Sequence, residues 1–238
     1  MGRGAVSTAP TCGALLPVGH GVGMGTHSTE PGVITVWSDV SCPWATLALR
    51  TLHDAAADRG VTLRVDHRCF PLELLNAEPT PKPGHDEEVE QITAVRPDLG
   101  WPAWTVPEST YPVTTLPAMA AVQAAKQQSL EASDRLDSAL RRAFFVDNRC
   151  VSIHPVIEEV ARSCADLDAD ALMAALRSGA GVAQVYADLE VARAGEIEGS
   201  PHFWTAAGSF AANPGVDDPK NFRSYDPSWV DGLLATAK

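Results

Sequence analysis

The sequence predicts an α/β fold in which a helical segment interrupts the part of the chain that forms a sheet. Three patterns lead to this prediction: strand, helix and strand over residues 33–67, a long helical stretch over 116–196, and a hairpin followed by a helix over 201–237. Strand, helix and strand at this spacing form a βαβ unit with parallel strands. The 238 residues suffice for one large core, with or without an inserted subdomain.

The βαβ unit is predicted from local patterns. Residues 33–37 are β-branched and aromatic, which favours a short strand. A helix is predicted over 43–58, because its apolar residues keep helical spacing and Gly60 is placed to end it. Residues 61–67 alternate in polarity, which predicts the second strand.

The middle and the end of the chain have different patterns. Residues 76–112 are rich in Pro, Gly and acidic residues, which predicts long loops. Near the C-terminus, strands are predicted over 202–206 and 209–212 around the turn Ala207-Gly208, with a last helix over 227–237. Between the predicted loops and these strands, the helical stretch divides into five predicted helices, over 116–128, 130–147, 155–165, 169–178 and 181–195.

These patterns divide the chain into three parts. We expect a flexible tail over residues 1–30, with Met24 as an alternative start, and a sheet-containing domain formed by 31–75 and 197–238. Residues 76–196 are expected to form an inserted loop and helical subdomain. The tail lacks the basic start and long apolar stretch of a secretory signal. Five cysteines without paired spacing then predict a reducing, cytoplasmic compartment.

Composition excludes several classes of partner. The formal net charge of −12 would repel a phosphate backbone, so nucleic-acid binding is not expected. The chain has no run of about 18 apolar residues, so no membrane span is predicted. No Cys/His cluster has the spacing of metal ligands, so no metal site is predicted. A small molecule, a carrier-bound substrate or another protein is the expected partner.

The residue with the strongest chemical signal is Cys42, at the predicted junction of the first strand and the first helix. Unpaired backbone N–H groups and the positive end of the helix dipole favour a thiolate at this position. We therefore expect the pKa of Cys42 to fall below the ~8.5 of a free cysteine, and the residue to be alkylated first at neutral pH. Pro43 suits the first helical position, because its missing N–H costs nothing there.

Two segments carry a family resemblance. Residues 38–44 read Ser-Asp-Val-Ser-Cys-Pro-Trp after a strand, and residues 199–203 read Gly-Ser-Pro-His-Phe before a hairpin. Together they resemble the DsbA/FrnE family, which is similar to the glutathione-using chromene-carboxylate isomerases and kappa-class transferases. The likeness covers about residues 33–238. It implies a thioredoxin-like fold of the DsbA type with an inserted helical subdomain, Cys42 as nucleophile and Pro201 in a cis-proline loop opposite it.

The chain departs from the family motif at one position. Where the family has the second cysteine of Cys-Pro-Trp-Cys, this chain has Ala45. The usual dithiol cycle within one motif is therefore excluded, and a mixed disulfide at Cys42 would need an external thiol to clear it. Cys69, at the end of the second strand, is either a distant second thiol on the same sheet edge or an inert, partly buried residue.

Further candidate residues surround the expected nucleophile. Trp44 and the pair Trp101 and Trp104 are either core anchors or the walls of an apolar groove beside Cys42. Neither His154 nor His202 has a pattern typical of a general base. The candidate substrate-binding residues are Pro43, Trp44, Ser200, Pro201, Trp101 and Trp104.

Three functional hypotheses follow from a motif with a single cysteine, and two of them are enzymatic. In the preferred one, Cys42 adds reversibly to an electron-poor double bond, and a cis/trans isomerisation of an unsaturated acyl or polyketide-like substrate results. This hypothesis needs no cofactor. In the alternative, Cys42 attacks a disulfide and a low-molecular-weight thiol completes the exchange, as in a monothiol oxidoreductase or thiol transferase. A binding module with an inert cysteine is the third hypothesis.

Overall fold

The computed structural model describes residues 25–79 and 82–237. In these ranges four strands form one mixed sheet: β1 Ile34–Ser38, β2 Val65–Cys69, β3 His202–Thr205 and β4 Gly208–Ala212. Their order is β2-β1-β3-β4, with β1 parallel to β2 and antiparallel to β3. The parallel βαβ unit and the C-terminal hairpin are therefore confirmed. Residues 1–24, with most of the expected tail and Cys12, lie outside the described residues.

Helix α1, Pro43–Asp58, joins β1 to β2 with the predicted bounds. Short 3₁₀ turns cover Pro97–Leu99 and Glu108–Thr110. The remaining helices are α2 Leu72–Leu75, α3 Lys82–Val95, α4 Leu116–Ala125, α5 Leu130–Phe145, α6 His154–Arg162, α7 Ala169–Arg177, α8 Val182–Arg193 and α9 Trp229–Thr236. No helix in these ranges is long and apolar enough to cross a membrane.

Two predicted elements are wrong in part. Strand β2 begins at Val65 and not at residue 61, because its pairing with β1 starts at the register Ile34 to Val65. The alternation begins earlier because Val61 and Leu63 also pack against the core. Residues 76–112 are not all loop, since they contain the 14-residue α3.

The prolines of this region made α3 difficult to predict from the sequence. Pro83 is the second residue of the helix, where a missing N–H is tolerated. The buried residues of α3 are His85, Val89 and Ile92, which lie at helical spacing. Three such positions give a weak amphipathic pattern in a segment dominated by Pro and acids.

The core has two main clusters of apolar side chains. One lies between the sheet and helices α1 and α9, and includes Ile34, Leu52, Phe203 and Leu233. The larger one unites the helical part of the chain with the loop after β1, since it contains Cys42 as well as residues of α3 to α8. The helices therefore share their core with the segment that carries the cysteine.

Candidate active site

Cys42 is the N-cap of α1, and Pro43 is the first helical residue, as predicted. The sulfur lies against the segment that precedes β3: Cys42 Sγ donates to the backbone oxygen of Ser200 at 3.1 Å. The peptide bond between Ser200 and Pro201 is cis. The two segments that carry the family resemblance, 158 residues apart, thus meet at one point.

Asp39 organises the loop between β1 and Cys42. Its Oδ1 accepts hydrogen bonds from the backbone N–H and the hydroxyl of Ser41, both at 2.9 Å, and from the hydroxyl of Thr115 at 2.8 Å. Its Oδ2 accepts from the backbone N–H of Leu72 at 3.0 Å. Its own backbone N–H donates to Ser200 Oγ at 3.0 Å. The buried Asp39 carboxylate therefore ties the cysteine loop to α2 and to the start of α4, and the backbone of the same residue ties it to the cis-proline segment.

Arg141 of α5 anchors the same loop from the helical part of the chain. Its guanidinium group is buried and forms an ion pair with Asp137, one turn earlier, at 2.7 Å. It also donates to the backbone oxygen of Asp39 at 2.9 Å, to Thr46 Oγ1 at 3.0 Å and to Ser38 Oγ at 2.8 Å. Both ends of the cysteine loop are thus bonded to one side chain of α5.

A cavity of about 360 Å³ opens at Cys42. This volume suits a small ligand. Cys42, Pro43, Trp44 and Ser200 line it, so these four candidate residues lie together. Its polar lining also includes four residues that the sequence did not point to: Asn76, Glu78, Glu88 and Asn213.

The expected lowering of the Cys42 pKa is wrong. Burial raises the pKa of this thiol to about 11, and repulsion by Glu88 and Asp39 acts in the same direction. The bond to Ser200 and the nearby amide of Ala45 oppose the shift without offsetting it. The cost of burying a charge outweighs the stabilisation by the helix terminus, because Cys42 is only 4% exposed. The resting group is a thiol.

Glu88 places a carboxyl group in the same cavity. It lies on α3, and burial raises the pKa of its carboxyl, while a hydrogen bond from the Trp44 side chain acts against this shift. A carboxylate beside a thiol is a suitable general base when the thiol attacks. Neither His154, which is exposed, nor His202, which bonds to Glu198 and Ser209, lines this cavity.

The raised pKa of Cys42 leads to a testable pH dependence. Only the thiolate is alkylated, so the rate should rise about tenfold per pH unit from pH 7 to 10, without a plateau near neutrality. Mass spectrometry of peptides after timed iodoacetamide treatment would measure it, with a short cysteine peptide as reference. A rate at pH 7 above that of the reference peptide would contradict a thiol resting state.

Trp101 and Trp104 do not wall the cysteine cavity. They line a second cavity that shares no lining residue with the first. They pack instead against aromatic side chains of α5, since Trp101 stacks on Phe145 with ring centroids 4.6 Å apart. Of the apolar residues predicted to bind substrate, only Pro43 and Trp44 therefore line the Cys42 cavity.

Cys69 lies at the same sheet end as Cys42, as expected, because Ser38 pairs with Cys69 in the parallel register. It is 2% exposed and does not line the Cys42 cavity. Burial, with repulsion by Asp188, raises the pKa of its thiol well above the ordinary value. These properties favour the inert role. Ala45, at the position of the missing second cysteine, is fully buried.

The functional residues that the sequence analysis missed carried weak signals. Glu88 would have emerged once 82–95 was recognised as a helix, because it lies beside the buried stripe of His85, Val89 and Ile92. The pair Asp137 and Arg141 is an opposite charge pair at i, i+4 within a predicted helix, which on a surface would be ordinary. Only the packing of α5 shows that the pair is buried.

A comparison with family models places this geometry in a known group. Residues 33–225 match the model of the DsbA-like thioredoxin domain. The chain belongs to the DsbA-like thioredoxin domain family. The fold predicted from the resemblance is therefore confirmed for this family member. None of the curated proteins compared with it is significantly similar.

Solved structures of DsbA-like proteins share the fold at low identity. A candidate protein disulfide isomerase from Nitrosomonas europaea has a TM-score of 0.62 at 15% identity, covering 87% of this chain and 97% of its own. The cytosolic disulfide reductase DsbM from Pseudomonas aeruginosa has a TM-score of 0.60 at 15% identity, covering 85% and 97%. A probable DsbA oxidoreductase from Streptomyces coelicolor has a TM-score of 0.59 at 20% identity, covering 86% and 89%.

Proposed function

We propose that this chain is a cysteine-dependent isomerase that changes the geometry of a double bond in an unsaturated acyl or polyketide-like substrate. One observation carries the proposal: the Cys42 thiol and the Glu88 carboxylate share a cavity of small-molecule size, while Ala45 occupies the place of a second cysteine. A nucleophile beside a base, without a resolving thiol, suits reversible addition better than a redox cycle.

The proposed reaction has no net redox change. As Cys42 Sγ bonds to the β-carbon of a double bond conjugated to a carbonyl, the thiol proton passes to Glu88 and the π electrons move to the carbonyl oxygen. The former double bond then rotates as a single bond. Return of the electrons breaks the S–C bond, and Glu88 returns the proton to sulfur. The second cysteine of the family motif would compete with this cycle, because an external oxidant could join it to the nucleophile in a disulfide.

Replacing Glu88 by Gln should change the alkylation rate of Cys42 and the rate of isomerisation in opposite directions. Removing the carboxylate relieves its repulsion of the thiolate, so the pKa of Cys42 falls and alkylation becomes faster. Isomerisation should instead slow by about 100-fold or more, because the proton acceptor is lost. Alkylation is followed by mass spectrometry, and isomerisation by chromatography of a cis-dienoyl thioester probe.

The matched control is Glu78→Gln. Glu78 lines the same cavity but is exposed, so solvent screens its charge and both rates should stay nearly unchanged. If Glu88→Gln leaves isomerisation of the probe unchanged, Glu88 is not the base. If the unmodified protein isomerises no conjugated acyl probe, the proposed function is wrong.

The alternative is thiol-disulfide exchange with an external thiol. The similar DsbM structure has also been solved with GSH, at 16% identity to this chain and a TM-score of 0.58. A cavity of about 360 Å³ with Asn76 and Asn213 in its lining has room for part of a small peptide thiol. Turnover of a small mixed disulfide by the protein, dependent on Cys42 and on added thiol, would favour this function.

A further inference from the structure

The cavity at Cys42 contains more negative than positive charge. Two carboxylates, Glu78 and Glu88, line it, and no lysine or arginine does so within the described residues. Glu88 is half-buried. Besides burial, the groups that shift its pKa are Trp44 and Glu87, and neither is a cation. The carboxylate beside the thiol is therefore not neutralised by a positive side chain in this part of the chain.

Asp39 adds a second negative charge behind the thiol. It is 1% exposed, and its carboxylate accepts only from uncharged donors, two hydroxyls and two backbone N–H groups. Arg141, which bonds to the Asp39 backbone, is itself paired with Asp137 at 2.7 Å, so that pair adds almost no net charge. Both Glu88 and Asp39 repel a thiolate at Cys42, and they repel any other anion that takes its place.

The positive charge near this cavity is weaker or lies in solvent. The N-terminus of α1, at Cys42, corresponds to about half of one positive charge, and Pro43 removes one of its N–H donors. Lys220 follows the lining residue Pro219 but is exposed, so solvent screens it as it screens Glu78. The two carboxylates inside the protein therefore outweigh the helix terminus.

We infer that the Cys42 cavity admits uncharged and cationic substrates and rejects anions. Resting on the proposed function, this inference identifies the substrate as an amide, ester or thioester of an unsaturated acid, and not as the free carboxylate. When Cys42 adds to an uncharged acyl group, one negative charge develops on the carbonyl oxygen while the thiol proton neutralises Glu88. Addition to a free carboxylate would instead place two negative charges near Asp39, with no described cation in the lining to offset them.

Charged thiol reagents of similar size test the sign of the cavity directly. Methanethiosulfonates that carry an ethyltrimethylammonium, hydroxyethyl or ethylsulfonate group react alike: the Cys42 thiolate bonds to their divalent sulfur, and methanesulfinate leaves. Rates for the full chain at pH 8 are measured by mass spectrometry of peptides and divided by those of a short cysteine peptide. We expect the normalised rate of the ammonium reagent to exceed that of the sulfonate by at least about tenfold.

Two variants locate the source of this preference. The ratio of ammonium to sulfonate rates does not depend on the fraction of thiolate, so it reports the charge around Cys42 alone. Glu88→Gln should lower the ratio by about threefold or more, because one of the two repelling carboxylates is lost. Glu78→Gln, which removes an exposed carboxylate of the same cavity, should change it by less than about twofold. Equal normalised rates for the two charged reagents, a faster sulfonate, or a ratio unaffected by Glu88→Gln would overturn the inference.

A pair of substrates separates this inference from the proposed function. A cis-dienoic acid and its amide are assayed with the full chain, and each rate is divided by that with 2-mercaptoethanol to correct for their different reactivities. We expect a normalised rate at least about tenfold higher for the amide. Equal normalised rates would overturn the inference and leave the isomerase activity in place. Charge selection by the thiol reagents without isomerisation of either compound would show that the proposed function is wrong, while the preference of the cavity for uncharged and cationic ligands would stand.

Discussion

Replacing Ala45 by Cys should abolish isomerisation under oxidising conditions, and a reductant should restore it. Ala45 is fully buried at the third position of α1, and its backbone amide lies close to the Cys42 sulfur. A thiol introduced there can close a local disulfide with Cys42, as the family motif does, and a bonded sulfur cannot attack. Activity on the dienoyl thioester probe, measured with and without dithiothreitol, would show the change.

Two further variants serve as controls, one for the added thiol and one for the loss of the nucleophile. Ala48→Cys adds a buried thiol one turn further along α1, too far to reach Cys42, so it should keep activity in both conditions. Cys42→Ser should be inactive throughout, because a serine alkoxide is hardly accessible near pH 7. If Ala45→Cys instead raises turnover of small disulfides while no variant isomerises the probe, thiol exchange is the function.

Replacing Arg141 by Met should give the largest loss of stability, about 3–5 kcal/mol of unfolding free energy, because it leaves the Asp137 carboxylate buried without its partner. It also removes the donors to Ser38, Asp39 and Thr46 that hold the cysteine loop. Urea unfolding at 25 °C measures the first effect. Faster alkylation of Cys42 at fixed pH would report the loosened loop.

The neighbouring Arg142 provides the control. It lies on the same helix and is exposed, so Arg142→Met should change stability by no more than about 0.5 kcal/mol. Adding Asp137→Leu to Arg141→Met should recover part of the lost stability, because it removes the unpaired charge. Equal stabilities for Arg141→Met and Arg142→Met would show that the buried network does not hold the loop.

The arrangement explains why the helical part of the chain matters for the chemistry. Asp39, inside the loop, and Arg141, from α5, hold the segment between β1 and Cys42 from two sides. Glu88 arrives from α3, which also belongs to the region between β2 and β3. The sheet thus places the proposed nucleophile, while the helices carry the proposed proton acceptor and fix the loop.

Local sequence patterns are enough to predict the βαβ unit, the bounds of α1 and the position of Cys42 at the N-terminus of α1. The sequence also shows directly that residue 45 is not a second cysteine. These are local properties, because strand alternation, helical spacing and a proline at the first helical position depend on neighbouring residues. Family resemblance added the meeting of residue 42 with the segment around Pro201, which local patterns alone do not contain.

The pKa of Cys42 and the residues that line each cavity depend on contacts between distant parts of the chain. Whether Cys42 is a thiolate depends on its burial and on Glu88 and Asp39, which reach it through space, so a helix terminus was not sufficient to predict its pKa. For the same reason, the sequence does not distinguish between Trp101 and Trp104 as core anchors and as walls of a groove at Cys42. Hydrophobicity indicates that a side chain is buried, but not which residues surround it. The burial of a residue depends on side chains from distant parts of the chain, so local sequence patterns do not predict it.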